Sequence, residues 1–316
     1  MEAITASNVL SNERLRELSL PRPGRWLLAV VCDWTIIAAM ILACWEWSIW
    51  PVWLAAILVI GNRQHALGVL MHEGVHYRIT SSRRWNELLA DWLTGYPIFI
   101  PTDNYRVFHL EHHRWLDTPK DPERHVFENF PTEFRFPMER LRFGLYLLRD
   151  LSGLWPRPLL MLIRLVWGLP QQKRWHLMPI ALLHGGVIAL ALATSAIHFY
   201  LLLWIVPMLT VFQATFRVRY VAEHHGIDEA GEERYTREEP DVLRTTRSIR
   251  GWLGQTLFGP HGINYHLEHH LYPSVPFFNL PDLSHTLEQD SRIRERIRDS
   301  YRTAIGECVG PPSVTR

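Results

Sequence analysis

The sequence predicts an all-α integral-membrane protein whose four transmembrane helices form two hairpins. Three observations predict it: four apolar runs of spanning length, short connections inside each hairpin that lack Lys and Arg, and arginine-rich sequence everywhere else. The mean hydropathy of −0.06 looks soluble, but it averages very apolar runs with strongly charged ones.

Residues 27–44, LLAVVCDWTIIAAMILAC, form the first run, interrupted only by Asp33; residues 50–71 form the second, WPVWLAAILVIGNRQHALGVLM, with a polar far half. Residues 178–195 and 197–216 form the third and fourth and contain no acidic or basic side chain. A hydrocarbon core of about 30 Å takes roughly 20 helical residues, so each run can cross it. The connections at 45–49 and 195–198 are short and free of Lys and Arg, whereas Arg14, Arg16, Arg22 and Arg25 precede the first run, and arginines recur from Arg63 to Arg174 and from Arg217 onward. The positive-inside rule therefore places both termini and the long middle segment in the cytoplasm. Asp33 is expected to face the bundle interior or to snorkel to the cytoplasmic end. Within the middle segment, residues 88–101 are too short to span and read as a re-entrant or interfacial piece. Residues 157–170 suit a helix in the headgroup layer, with Arg157 and Arg164 on one side. Residues 228–241 hold seven acids and two arginines and read as a solvated loop, and residues 281–302 as a charged surface helix. The chain reads as one domain: an N-terminal cytosolic segment over 1–24, a membrane and histidine core over 25–290, and a tail over 291–316.

Composition excludes several classes. With 33 basic and 32 acidic residues the formal charge is +1, which gives no electrostatic case for nucleic acid. Cys32, Cys44 and Cys308 stand far apart, so neither a zinc ribbon, an iron–sulfur cluster nor a disulfide framework is supported. The polar, charged N-terminus does not resemble a signal peptide.

Most of the 17 histidines fall in four short strings beside the predicted cytoplasmic face. HEGVH carries His72 and His76, HLEHH carries His109, His112 and His113, EHH carries His224 and His225, and a second HLEHH carries His266, His269 and His270. On a helix, residues i, i+3 and i+4 share a side, so HxxxH directs two imidazoles, and HxxHH three, toward one point; Glu111 and Glu268 then turn away. A patch of uncoordinated histidines repels itself when protonated, so a metal is the economical explanation. The two triplets and HEGVH supply eight ligands and EHH a ninth, more than the four to six one ion accepts, so the count implies two metals. Several imidazoles on each of two first-row ions suit iron and dioxygen, although ligand count alone leaves manganese and copper open. HEGVH also satisfies the zinc-protease pattern HExxH, but a mononuclear zinc site leaves both HLEHH triplets without a role. A non-catalytic metal carrier rarely needs nine convergent ligands. A site beside the bilayer suits an apolar substrate that enters from it.

The three boxes His72–His76, His109–His113 and His266–His270 resemble those of the integral-membrane fatty acid desaturases and hydroxylases, and so do the flanks HEGVHYRITSSRRWNELLADWL, DNYRVFHLEHHRW, RVRYVAEHHG and NYHLEHHLYPSVPFFNLPDL. The likeness runs from about residue 25 to 290. It implies a cytosolic helical cap holding a di-iron site, O2 as co-substrate, and electrons from an external donor of the ferredoxin or cytochrome b5 type. It also implies attack on an unactivated C–H bond of a lipid or acyl chain, most readily desaturation, with hydroxylation or ketone formation as alternatives. A further histidine between the last two boxes falls at His224 in AEHHG, with His225 as its less favoured neighbour. No His-Pro-Gly-Gly string, cysteine cluster or G-x-G-x-x-G marks an electron-transfer domain within these residues. His65 and His261 are weaker candidates for the metal site, Asp91 and Asp103 are candidate acceptors for a ligand imidazole N–H, and His125, His176, His184, His198 and His285 read as interfacial or surface residues.

Overall fold

The computed structural model describes residues 10–124, 131–155, 173–225 and 238–310, together with Leu160, Ile163 and Trp167. Most of the headgroup-layer helix expected at 157–170, most of the acidic loop at 228–241, and His125 lie outside them. The chain divides into two compact units. One comprises Pro23–Val107 and Leu147–Phe216; the other comprises Met1–Arg22, Phe108–Tyr146 and Arg217–Arg316.

The first unit is built on helices long and apolar enough to cross a membrane. Four such helices occur among the described residues: α1 (Pro23–Glu46), α2 (Trp50–Val75), the segment Arg174–Ala193 and the segment Ile197–His224. Pro51 in the first turn of α2 fits the position where its missing N–H costs nothing. Leu27, Leu28, Val31 and Leu42 of α1 are exposed, as are Leu182, Leu190 and Leu192 of the third helix, which presents apolar surface to lipid. The opposite side of α1 packs into a core that includes Ile37, Ile60, Leu67, Met71, Ile98 and Leu203. Several polar groups inside the unit are paired. The Trp26 indole donates to the Leu70 carbonyl at 2.9 Å, and Asp33, 1% exposed, meets Arg63 at 2.9 Å. Asp33 thus takes the interior option of its two expected placements.

Between the hairpins lie α3 (Arg83–Ala90), a π-helical turn (Asp91–Gly95) and a 3-10 turn (Tyr96–Ile98). This is the short piece that cannot span. Its irregular backbone is tolerable because protein surrounds it: the Trp34 indole donates to the Leu93 carbonyl and the Trp204 indole to the Pro97 carbonyl, both at 2.9 Å. Gly74 lets α2 and α3 touch, since a Cβ there would lie 2.4 Å from the Ala90 Cβ. Helix α4 (Thr102–Trp115) follows; α5 (Leu177–Ala193) and α6, the segment Ile197–His224, form the second hairpin.

The second unit is a helical assembly with a two-residue parallel pairing of β1 (Ser248–Ile249) and β2 (Ile297–Arg298). Helix α7 (His266–Leu271) and helix α8 (Leu280–Leu287) pack through Leu267, Leu280, Leu283 and Leu287 onto Leu10 and Leu18. The expected single surface helix over 281–302 is corrected. Asp290 caps a new short helix by accepting the Arg292 N–H, the chain turns into β2, and Ser300 caps α9 (Tyr301–Cys308) by accepting the Thr303 N–H. Leu283, Leu287, Ile293 and Tyr301 are buried while Arg292, Arg294 and Glu295 are exposed, so this stretch stays at the surface and anchors to the core through its apolar side chains.

Candidate metal centre

Seven of the predicted ligand residues stand in the second unit, on three helices. The last turns of α4 carry His109, His112 and His113, α6 ends at His224, and α7 carries His266, His269 and His270. Their Nε2 atoms converge. His113 approaches His109 at 2.9 Å and His269 at 3.0 Å; His266 approaches His224 at 2.7 Å and His270 at 3.0 Å. The ligating nitrogens of His112, His224 and His270 lie within 4.8 Å of one another, and so do those of His109, His113 and His269. The two groups adjoin, since the His113 and His270 rings stack at 4.2 Å. Two nitrogens about 2.0–2.1 Å from one ion and at right angles to each other are about 2.9 Å apart, so these separations fit imidazoles gathered around cations.

Nδ1 contacts turn the rings inward. Nδ1 of His112 lies 3.0 Å from Asp121 and 2.9 Å from Glu123, which fixes the proton there and leaves Nε2 toward His224 and His270. Nδ1 of His224 donates to the Thr245 carbonyl at 3.2 Å, and Nδ1 of His266 stands 3.4 Å from Glu223. Burial disfavours a charged His112, but the carboxylates of Glu123 and Asp121 prevail and raise its pKa to about 10. For His266 and His270, burial is reinforced by neighbouring histidines, and both are pushed well below the ordinary imidazole value. They are therefore neutral, as ligation requires. Glu268 turns from the cluster to Ser248, whose Oγ accepts the Leu267 N–H at 3.1 Å and anchors α7.

In the membrane unit, His72 and His76 end α2, with ring centroids 4.8 Å apart. Arg106 closes this helix end: its Nε donates to the Val75 carbonyl and its Nη2 to the Gly74 carbonyl, both at 3.0 Å. Burial, then Arg78 and Arg106, lower the His76 pKa to about 3, keeping it neutral. Asn86 holds the following turn by accepting from Ile79 N–H at 2.9 Å and donating to the Thr80 and Ser82 carbonyls.

The other histidines have other surroundings. His225 packs on Phe136 at 4.6 Å, His65 meets Phe212 edge-on at 5.8 Å, and His261 meets Phe277 at 5.6 Å. The carboxylates expected to hold a ligand ring do something else. Asp103 pairs with His176 and Lys173, and Asp91 accepts the Thr102 N–H at 2.7 Å. The rings are held instead by Asp121, Glu123 and Glu223, which sequence reasoning missed; Lys-Asp-Pro-Glu soon after the second box and the Glu directly before His224 were the available signals. His176 and His184 are buried rather than superficial, because each is hydrogen-bonded inside the unit, His176 to the Tyr96 hydroxyl at 2.8 Å and His184 to the Tyr96 carbonyl at 3.0 Å.

The chain is similar to known proteins. The family model described as fatty acid desaturase matches residues 47–300. The chain is 29% identical over 287 residues to dihydrorhizobitoxine desaturase of Bradyrhizobium elkanii, covering 85% of this chain and 78% of that one. It is 26% identical over 286 residues to "Probable fatty acid desaturase DES1" of Sorghum bicolor, covering 81% of this chain and 66% of that one. A match spanning all three histidine boxes and most of the chain, on a helical membrane scaffold, makes this protein a member of the fatty acid desaturase family.

Proposed function

We propose that this oxidoreductase introduces a carbon–carbon double bond into a lipid or acyl chain, using O2 and an external electron donor at a di-iron centre. The ligands proposed are His72, His76, His109, His112, His113, His224, His266, His269 and His270. The observation that carries this reading is the convergence of the Nε2 atoms of the second and third boxes on two adjoining points. The nine-ligand count and the family's first box add His72 and His76. Both relatives are named as desaturases, which favours desaturation over hydroxylation or ketone formation from the same ligands.

When bound, the two irons supply the activation of dioxygen. Over a turnover, adjacent carbons each lose one hydrogen, O2 is reduced to two waters, and the balance of two electrons and two protons enters from outside. The chain contributes placement and protonation state. Asp121 and Glu123 hold a His112 proton at Nδ1, so that a metal would bind at Nε2 by displacing the second proton that the raised pKa keeps there in the metal-free protein. The Thr245 carbonyl likewise holds the His224 proton at Nδ1. Burial keeps His76, His266 and His270 neutral. The donor, of ferredoxin or cytochrome b5 type, is proposed to dock on arginine-rich cytoplasmic surface.

Metal analysis and lipid mass spectrometry test the reading together. Two irons per chain, and a product lighter than its precursor by two hydrogens in cells carrying the gene, are the expected results. One zinc per chain, or a product heavier by one oxygen, would overturn the metal or the reaction respectively.

A further inference from the structure

The membrane unit contains an apolar cavity of about 370 Å³, lined among others by Ile37, Leu183, Leu190, Ala191, Phe199 and Leu203. Five polar side chains also reach it: Trp34, His184, Thr194, Tyr200 and Trp204. Val187 and Leu190 at its margin are exposed on a membrane-spanning helix, so the cavity can be entered sideways from the bilayer.

The hydrogens of those five side chains are all engaged with protein. The Trp34 and Trp204 indoles donate to the Leu93 and Pro97 carbonyls at 2.9 Å, and the Thr194 hydroxyl to the Leu190 carbonyl at 2.9 Å. His184 stacks on Phe99 at 3.8 Å, and its Nε2 faces the Tyr96 carbonyl at 3.0 Å. A carbonyl only accepts, so Nε2 carries the proton. Among the described residues no carboxylate touches this ring, and a buried unpaired cation is costly, so the imidazole is neutral and Nδ1 is a bare lone pair. The Tyr200 hydroxyl, 3.0 Å from Nδ1, must therefore donate to it. Among the described residues, what the wall offers a guest is acceptor oxygen, above all Tyr200 Oη, and no free side-chain donor.

We propose that this cavity is a binding site for an apolar molecule bearing a hydroxyl group, which donates to Tyr200 Oη. A guest that can only accept, such as an ether, finds no partner there and leaves Tyr200 as it was. A neutral hydroxyl is also the least costly donor to bring into an apolar cavity. The site stands on the tautomer argument and the cavity alone, and is independent of the metal chemistry.

The test uses the full chain in lipid nanodiscs with two radiolabelled probes, 1-decanol and decyl methyl ether, each corrected for protein-free discs. The alcohol is expected to be retained roughly 3- to 10-fold more tightly, the effect of one net hydrogen bond. His184→Phe frees the Tyr200 O–H to donate, so ether retention should rise and the preference should fall toward unity. Tyr200→Phe leaves the bare Nδ1 as acceptor, so the preference should survive. Ala191→Trp, which fills the cavity, should bring both probes to the protein-free level. Equal retention of the two probes by the unsubstituted protein, or an alcohol preference that persists in Ala191→Trp, would overturn the proposal, and neither result depends on His184→Phe folding.

Discussion

His112 shows how much one ring depends on groups outside the histidine boxes. Asp121 and Glu123 both approach its Nδ1, and they are the largest influences favouring its charged form. Such partners typically change metal affinity 10- to 100-fold, so Asp121→Asn should weaken iron binding by roughly that factor, measured by iron titration of the metal-free protein. The same pair makes the metal-free protein pH-dependent. A folded pKa of about 10 lies above the unfolded value near 6.5, so the stabilisation is complete below about pH 6.5 and is lost as pH rises through 10. Thermal unfolding of the metal-free protein should therefore occur at lower temperature at pH 10 than at pH 6.5, and Asp121→Asn should flatten that slope; an unchanged slope would refute the pairing. At the neighbouring pair, His224→Ala should lose metal while His225→Ala, whose ring rests on Phe136, should keep it. Equal metal loss in both would refute the proposed choice.

Elements with a strong periodic or compositional signal were legible, and those ended by local capping were not. The four spans were readable because lipid demands length and apolarity over about 20 residues, and the clustering of the HxxHH imidazoles because i, i+3 and i+4 share one helix face. The breaks after Leu287 and Arg294 depend on Asp290 and Ser300 accepting particular backbone N–H groups, choices that the charged stretch 281–302 does not announce. Asp121 and Glu123 were illegible for a related reason: carboxylates in a charged segment are ordinarily solvated, and only the fold brings these two against His112. The turn after His76 is a third such case. Asn86 is fully buried and pairs with Ile79 N–H, Thr80 N–H and two carbonyls. Asn86→Ala leaves those groups unpaired and should cost about 1–3 kcal/mol, read as a lower unfolding temperature. Iron binding should fall with it, because the turn secures the end of α2 that carries His72 and His76. Undiminished stability would show that the Asn86 contacts contribute nothing to the unit.

At the scale of the whole molecule, an even number of spans returns the chain to the side on which it began, and charge asymmetry decides which side that is. The turns around Ser48 and Ser195 lack Lys and Arg, whereas Arg22 and Arg25 flank the start of α1 and Lys120 lies in an arginine-containing segment. The bias predicts both turns outside the cytoplasm, with both termini and the histidine boxes inside it. Single cysteines at Ser48, Ser195 or Lys120, placed in a chain whose own three cysteines are replaced by serine, report this directly. A membrane-impermeant maleimide applied to intact cells should label Ser48→Cys and Ser195→Cys and spare Lys120→Cys until the membrane is opened. Labelling of Lys120→Cys in sealed cells, with both turns protected, would invert the orientation. It would also place the proposed donor surface on the wrong side for a cytosolic reductant. Labelling of one turn without the other would break the pairing of hairpins itself, since two turns on opposite sides require an odd number of crossings between them.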